Sequence, residues 1–356
     1  MAPRKPPAET AAPAEPAPAR PRLTVMRDVA KLAGVSHQTV SRVINDHPNV
    51  REETRQRVLD AMRSLNYRRN LAARTLVTRQ SHTLGIVGFE TTLFGPASML
   101  YGIESAAHSA GYMVSIATVR NLDRQHVLDA VGRLTQYSVD GVIAIAPKHA
   151  VTTALIQAPP DLRCVAVGGA GRSDAVPTVQ IDNATGARLA TQHLLDLGHP
   201  TVHHAAGPAD WPEAHERIEG WRRTLYEAGA VVPPVHPGWW DAGSGYEQGR
   251  TLAADPQVSA IFCANDRIAL GVLRALHEAG RRVPEEVSVV GFDDMPDSSF
   301  FLPSLTTVRQ DFAELGRRSL GLLLEHISAP AADRPPEHIL VAPELVVRAS
   351  SGPHRR

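Results

Sequence analysis

The chain has 356 residues, which is long for one domain and suits a small domain joined to a larger body of two lobes. Its 37 basic and 37 acidic residues balance, but residues 21–80 carry a net charge of +7 and residues 81–356 a net charge of −8. It has neither a run of 18 apolar residues nor an apolar N-terminal signal core, so we expect a soluble cytoplasmic protein and neither a membrane nor an exported one.

Cys164 and Cys263 lie in apolar runs, which predicts buried free thiols. Residues 1–22 are rich in Ala and Pro and predict a disordered tail.

The first predicted elements are two short helices joined by a tight turn. In the first helix Val29, Leu32 and Ala33 recur at helical spacing and predict a buried face. Gly34 provides the positive φ that a sharp turn needs, and Ser36 is a good N-cap for the second helix. This pattern predicts a helix-turn-helix, and the basic charge around it favours that interpretation over an ordinary helical hairpin.

The second helix is the candidate for reading DNA. In a helix-turn-helix this helix enters the major groove with its N-terminal residues at the base edges. Gln and Arg can each form two hydrogen bonds there, with adenine and guanine respectively. The predicted DNA contacts of this helix are His37, Gln38, Thr39, Ser41, Arg42 and Asn45.

A third helix over about residues 52–65 closes the small core, with inward-facing Val58, Leu59, Met62 and Leu65. We therefore place a DNA-binding domain at residues 23–69. Residues 70–81 follow as a short helical segment and a linker; the segment 70–78 contains good helix formers but is too short to hold a helix alone in water.

From residue 82 the pattern alternates between strands and helices. Strand-like runs begin near residues 83, 113, 141, 163, 201, 260 and 287, and helix-like runs near residues 97, 126, 183, 212, 246, 266 and 312. Such alternation predicts parallel sheets covered by helices on both faces. The expected fold class is α/β: an all-α helix-turn-helix head, a hinge helix, and a body of parallel sheets that is large enough for two lobes.

Several motifs resemble the LacI/GalR family of bacterial transcription regulators. In the head they include Ala33-Gly34-Val35-Ser36 and Ser41-Arg42-Val43-Ile44-Asn45. In the body they include Gly207-Pro208, Ala264-Asn265-Asp266, Val289-Val290-Gly291-Phe292-Asp293-Asp294 and Leu305-Thr306-Thr307. The resemblance covers roughly residues 24–348 and is specific, since it extends over both the head and the body.

The resemblance implies a homodimer that binds double-stranded operator DNA. It implies that residues 70–81 are a hinge helix and linker, and that the hinge helix orders only on DNA, where Asn70, Ala73 and Leu76 contact the minor groove and Leu76 acts as an apolar wedge. Only residues 349–356 follow the last predicted strand, without the apolar heptads that a tetramerisation segment would need. We therefore expect a dimer rather than a tetramer.

The resemblance also implies a body like that of periplasmic sugar-binding proteins, with three chain crossings between the lobes. We place these crossings near Ile181, Gln310 and His338. The first lobe then spans about residues 82–181 and 311–338, the second about residues 182–310 and 339–348, and a short tail covers residues 349–356.

Polar residues that follow strands point to a ligand site between the lobes. Asn265 and Asp293 each come directly after an apolar strand, Arg217 lies in the helix after Gly207-Pro208, and Trp240 lies in a turn rich in Gly and Trp. Sugars need an aromatic face and bidentate polar groups. The resemblance implies a small sugar or glycoside effector, contacted by Leu93, Pro96, Arg217, Trp240, Asn265, Asp293 and Gln310.

Each of these polar residues also has a plain structural explanation. Arg217 could form a surface ion pair, Asn265 could cap a helix, Asp293 could belong to a turn, and Trp240 could fill the core. The wall positions Phe89, Ile145, Gly168 or Gly169, Ile181 and Glu213 depart from the family pattern for a galactoside. The type of sugar is therefore left open.

Other classes of function fit the sequence less well. There is no nucleophile-elbow motif, no P-loop and no histidine spacing typical of a metal site, so we predict no enzyme activity, no cofactor and no metal. A transport-type binding protein would need a signal peptide, and a repressor without an effector would not need the polar site residues. The remaining alternatives are a repressor that responds to a different small metabolite and one that requires a corepressor.

Overall fold

The computed structural model describes residues 24–67, 80–89, 92–120, 123–145, 149–169, 175–328 and 336–354. Contacts divide the chain into two compact units, residues 1–77 and 78–356. The predicted tail of residues 1–22 lies outside the described residues. Within the described ranges, no helix combines the length and the apolar character needed to cross a membrane.

The head consists of three helices, α1 (Met26–Ala33), α2 (His37–Ile44) and α3 (Glu52–Ser64). The predicted turn is confirmed, because Gly34 ends α1 with φ +64° and the Ser36 hydroxyl accepts a hydrogen bond from the Thr39 amide at 3.1 Å. The buried core comprises Val29, Ala30, Ala33, Val40, Val43, Val58 and Ala61.

Two residues predicted for the head core are exposed to solvent instead. Leu32 is 56% exposed and Leu59 is 40% exposed. The buried stripes of α1 and α3 are narrower than the apolar pattern suggests, and they are centred on the small residues Ala30 and Ala61.

The first lobe of the body is built on a six-stranded parallel sheet in the order β10-β5-β4-β3-β1-β2. Its strands are β1 (Thr83–Phe89), β2 (Met113–Val119), β3 (Gly141–Ile145), β4 (Arg163–Val167), β5 (Thr178–Ile181) and β10 (His338–Val341). Helices α4 (Phe94–Ser109), α5 (Arg124–Gln136), α6 (His149–Leu155) and α11 (Phe312–Ser328) cover it. The central strand β3 is buried from end to end and β1 is buried beyond Thr83, as expected for a sheet covered on both faces.

The second lobe is built on a five-stranded sheet in the order β11-β9-β8-β7-β6, in which only β11 is antiparallel to its neighbour. Its strands are β6 (His203–Ala205), β7 (Ala260–Cys263), β8 (Ser288–Asp293), β9 (Thr306–Arg309) and β11 (Glu344–Val346). Its helices are α7 (Asn183–Asp196), α8 (Pro212–Glu227), α9 (Ala242–Ala253) and α10 (Asp266–Glu278). Trp221, Phe262 and Phe292 are the largest side chains in its core.

The chain passes between the two sheets three times. The first passage follows Ile181 and the second lies at Gln310, between β9 and α11. The third crossing, predicted near His338, follows Val341, because β10 pairs with β5 in the first sheet from His338–Thr178 to Val341–Ile181. The chain therefore enters the second lobe only after Val341.

Most of the predicted C-terminal tail is part of the second lobe. Ser350 is fully buried, its hydroxyl donates to the carbonyl of Val289, and it accepts from the Thr306 amide at 2.8 Å. The amide of His354 donates to the carbonyl of Leu197 at 2.9 Å. Residues 349–354 thus complete hydrogen bonds beside β8 and β9, and we assign them to the body.

Candidate functional site

The recognition surface of the head is the outer face of α2. Val40 and Val43 hold the inner face in the core. On the outer face His37, Gln38, Arg42 and Asn45 are exposed, while Thr39 and Ser41 are half-buried. The Thr39 hydroxyl lies 2.9 Å from the Ser36 hydroxyl at the N-cap. This arrangement leaves an imidazole, a carboxamide and a guanidinium on the first two turns of one helix, as base readout in the major groove requires.

The hinge residues cannot be placed in the same way. Asn70, Ala73 and Leu76 lie outside the described residues. Their proposed minor-groove contacts, and the wedge role of Leu76, stay predictions.

A partly open cavity with an interior volume of about 60 Å³ lies between the two lobes of the body. The structure brings together all seven residues predicted for the effector: Leu93, Pro96, Arg217, Trp240, Asn265, Asp293 and Gln310. The first lobe contributes apolar side chains, and the second lobe contributes most of the polar ones. A concave site with apolar walls and a few convergent polar groups is the usual form of a small-molecule site.

Arg217 is held rigidly inside this cavity. It is 5% exposed, and the carbon of its guanidinium lies 3.8 Å from the ring centroid of Phe292 and 5.5 Å from that of Trp240. Its Nε donates to Asn183 Oδ1 at 3.0 Å, and its Nη1 donates to the carbonyl of Ala264. Burial lowers the pKa of Arg217, and nearby carboxylates oppose that shift. Arg217 is therefore a fixed buried cation and not a surface ion-pair partner.

Asp293 is the carboxylate that faces Arg217. Its Oδ1 lies 4.0 Å from Arg217 Nη1 and accepts a hydrogen bond from Gln310 Nε2 at 2.5 Å. Its φ of +115°, a region that only glycine adopts readily, directs it from the end of β8 toward the cavity. Burial raises the pKa of Asp293 to about 7, although Arg217 favours its ionised form.

Asn265 and Trp240 form another part of the wall. Asn265 Oδ1 accepts from the Ile268 amide at 2.8 Å as the N-cap of α10, and its Nδ2 donates to the carbonyl of Trp240 at 3.3 Å. Asn265 is thus both a helix cap and a cavity residue. The ring of Trp240 covers Gly207, where a Cβ atom would lie 2.5 Å from it, and meets Trp211 edge to face at 5.6 Å.

Further residues of the cavity were not predicted as effector contacts. Asn183 follows β5, so the rule that ligands bind beyond strand ends could have identified it. Phe94, Met99, Trp211 and Arg267 carried no such signal. Of the wall positions that depart from the family pattern, Ile145, Gly168, Gly169, Ile181 and Glu213 line the cavity. Phe89 does not, and it packs against Trp211 at 6.3 Å instead. In the described parts of the chain no three His, Cys, Asp or Glu side chains converge as a metal site would require.

Comparisons with known proteins match both units. Residues 25–70 fit the description "Bacterial regulatory proteins, lacI family", and residues 191–351 fit "Periplasmic binding protein-like domain". An HTH-type transcriptional repressor PurR from Mannheimia succiniciproducens is 34% identical over 334 residues, which are 92% of this chain and 98% of that protein. The ribose operon repressor of Escherichia coli K12 is 32% identical over 333 residues, which are 92% and 100% of the two chains.

The fold is also similar to that of a solved structure. The lac repressor dimer bound to operator and the anti-inducer ONPF has a TM-score of 0.82 and 33% identity, covering 93% of this chain and 100% of that one. These relatives are similar over nearly their whole length, in the head as well as in the body. The chain therefore belongs to the LacI/GalR family of bacterial transcription regulators.

Proposed function

We propose that this DNA-binding repressor leaves its operator when a small sugar or glycoside binds in the cavity between its lobes. The relatives do not fix the effector by themselves, since one is named for the ribose operon and others carry the names PurR and lac repressor. The effector class must come from the cavity.

The observation that carries the proposal is the buried polar set on the second-lobe side of the cavity. Arg217, Asp293 and Gln310 present charged and amide groups that are already fixed by mutual contacts. Trp240 supplies an indole face beside them. Vicinal hydroxyls suit such bidentate groups, and the C–H face of a sugar ring suits an aromatic face.

The cavity also suggests how binding reaches the DNA. A ligand in the cavity favours one relative orientation of the two lobes over another. It does so because it contacts Leu93 and Pro96 of the first lobe together with Arg217 and Asp293 of the second. Only such differential binding can shift a two-state protein. We propose that this shift alters the dimer so that the two 70–78 segments separate, and a segment so short has little helix stability to lose.

We propose that the protein acts as a homodimer, as the lac repressor dimer does. Large apolar side chains are exposed on both lobes of this single chain: Tyr101, Met113 and Ile116 on the first, and Leu270, Phe300 and Leu302 on the second. A homodimer interface that covered these side chains would remove their apolar surface from water. Light scattering at micromolar concentration should give the mass of a dimer, and the mass of a monomer or a tetramer would contradict this assembly.

The test of the effector uses an operator selected from random duplex DNA with the wild-type protein. D-ribose, D-glucose, D-galactose and cellobiose are then added to the complex in gel-shift titrations. We expect at least one sugar to release the wild-type protein, and Asp293→Asn to keep operator binding but lose this release. Asp297→Asn, at an exposed position near the end of the same strand, is the matched control and should respond normally. Release of Asp293→Asn at the wild-type sugar concentration would refute the cavity as the effector site.

A further inference from the structure

A hydrogen bond crosses the cavity from one lobe to the other at Glu213. Glu213 belongs to α8 of the second lobe and is 8% exposed. Its Oε1 accepts from the amide of Gly169, just after β4 of the first lobe, at 2.9 Å. A Cβ atom at position 169 would lie 2.8 Å from the Glu213 carboxyl carbon, so the absence of a side chain at Gly169 is what lets the carboxyl group approach this backbone.

The second oxygen of the same carboxyl group has no such contact. Glu213 Oε2 is buried and has no hydrogen-bond partner among the described protein groups. Two nearby side chains donate to other groups: Arg217 donates Nε to Asn183 and Nη1 to the Ala264 carbonyl, and Asn183 Nδ2 donates to Glu216 at 2.9 Å. A buried carboxylate oxygen without a donor is costly, so the site is incomplete on this side.

The position of this oxygen relates it to the effector. Glu213 lines the same cavity as Arg217, which follows one helical turn later on α8. Burial raises the pKa of Glu213 to about 7, whereas the Gly169 amide, the backbone amide of Glu213 itself and the charge of Arg217 act in the opposite direction. A hydroxyl donor from a ligand would offset the cost of burying the ionised group.

We propose that Glu213 is a specificity-determining residue of the effector site: one oxygen joins the lobes through Gly169, and the other accepts a hydrogen bond from a sugar hydroxyl. This inference rests on the proposed function. It restricts the effector to ligands that present a hydroxyl group to α8, and it explains why a carboxyl group occupies a wall position that departs from the family pattern.

The test compares D-ribose, D-glucose and D-galactose with the deoxy analogues of each. A site built to bond a hydroxyl rejects a ligand that lacks it, so one analogue of the active sugar should need at least about tenfold more ligand to release the operator. Glu213→Leu removes both acceptor oxygens and should abolish this difference. Glu219→Leu, at an exposed position on the same helix, is the matched control and should retain it.

A second measurement needs no ligand. Trp211 and Trp240 line the cavity and are 4% and 6% exposed, so acrylamide should quench their fluorescence more strongly once the bridge between the lobes is lost. We expect stronger quenching in Glu213→Leu than in the wild type and in Glu219→Leu. Equal quenching in all three proteins would overturn the bridge.

The outcomes separate this inference from the proposed function. If a sugar releases the wild type and Glu213→Leu discriminates the analogues as the wild type does, the role of Glu213 is overturned and the proposed function stands. If no sugar releases or binds the wild type, the proposed function fails and the hydroxyl assignment fails with it.

Discussion

The two candidate sites of this repressor are built in opposite ways. On α2, the side chains of His37, Gln38, Arg42 and Asn45 are exposed and have no hydrogen-bond partner within residues 24–67. In the cavity, Arg217, Asp293, Gln310 and Asn265 are buried and bond one another or the backbone, and they come from segments far apart in the chain. The recognition helix is a set of separate groups, whereas the cavity is one coupled network.

This difference has consequences for substitutions. Separate exposed groups contribute nearly independently, while residues that share partners show interaction energies of about 0.5–3 kcal/mol in double-mutant cycles. A change on α2 should therefore alter DNA binding and leave folding alone. A change in the cavity should alter stability, pH dependence and ligand response together.

The largest expected effect is on the stability of the body. Arg217→Met removes a buried cation and leaves Asp293 without it, which should cost about 3–5 kcal/mol of unfolding free energy. The loss should be smaller at pH 6 than at pH 8, because Asp293 can then be protonated. Urea unfolding measures both values.

Arg42→Met on the recognition helix provides the stability change with which the loss in Arg217→Met is compared. Because Arg42 is exposed, this substitution should change the stability of the head by no more than about 0.5 kcal/mol. Equal losses at the two positions would remove the distinction between the sites.

The next effect is a pH dependence that Glu213 imposes on stability. Its pKa rises from 4.5 to about 7 on folding, so between these values the folded protein holds a proton that the unfolded chain releases. The contribution of Glu213 to stability therefore falls as pH rises through this window. Glu213→Gln cannot ionise, and its stability relative to the wild type should increase by about 2–3 kcal/mol between pH 5 and pH 8.

Urea unfolding at several pH values measures this difference. Asp293 contributes equally in both proteins and cancels, and Glu219→Gln, at the exposed position on α8, should show no comparable change. A constant difference between Glu213→Gln and the wild type across this range would show that Glu213 is not the group responsible.

A smaller effect is expected for DNA recognition. Arg42→Ala should cost about 1–3 kcal/mol in affinity for the selected operator and relax the base preference at one position. Fluorescence anisotropy with operator and with scrambled duplex DNA measures both. An equal loss on scrambled DNA would identify Arg42 as a phosphate contact that does not read sequence.

The contrast between a local recognition helix and a cavity built from distant segments also explains which features the sequence predicts well. The head follows from local patterns: apolar spacing places Val29 and Ala33, Gly34 makes the turn, and the Ser36 hydroxyl caps α2. The alternation of strands and helices predicts the parallel sheets, and strand ends predict Asn265 and Asp293 as cavity residues. All of these rules use neighbours in the chain.

What the sequence does not predict depends on distant partners. Strands β5, β9, β10 and β11 have three or four residues each, too few to show a period, and only the pairing of β10 with β5 moves the last crossing beyond Val341. The sequence marks Glu213 and Gly169 as wall positions, but it does not show that the backbone of Gly169 meets the Glu213 carboxyl group across the cavity. The burial of Ser350 likewise depends on β8 and β9.

The central claim is that sugar and operator bind with opposing preferences for the two states of one protein. Thermodynamic linkage requires this coupling to be reciprocal, and we expect it to be about 1–3 kcal/mol. The most direct test is isothermal titration of the releasing sugar into the free repressor and into the repressor saturated with operator. The account predicts that operator weakens sugar affinity by the same factor by which sugar weakens operator affinity. Equal sugar affinity in the two titrations would contradict it.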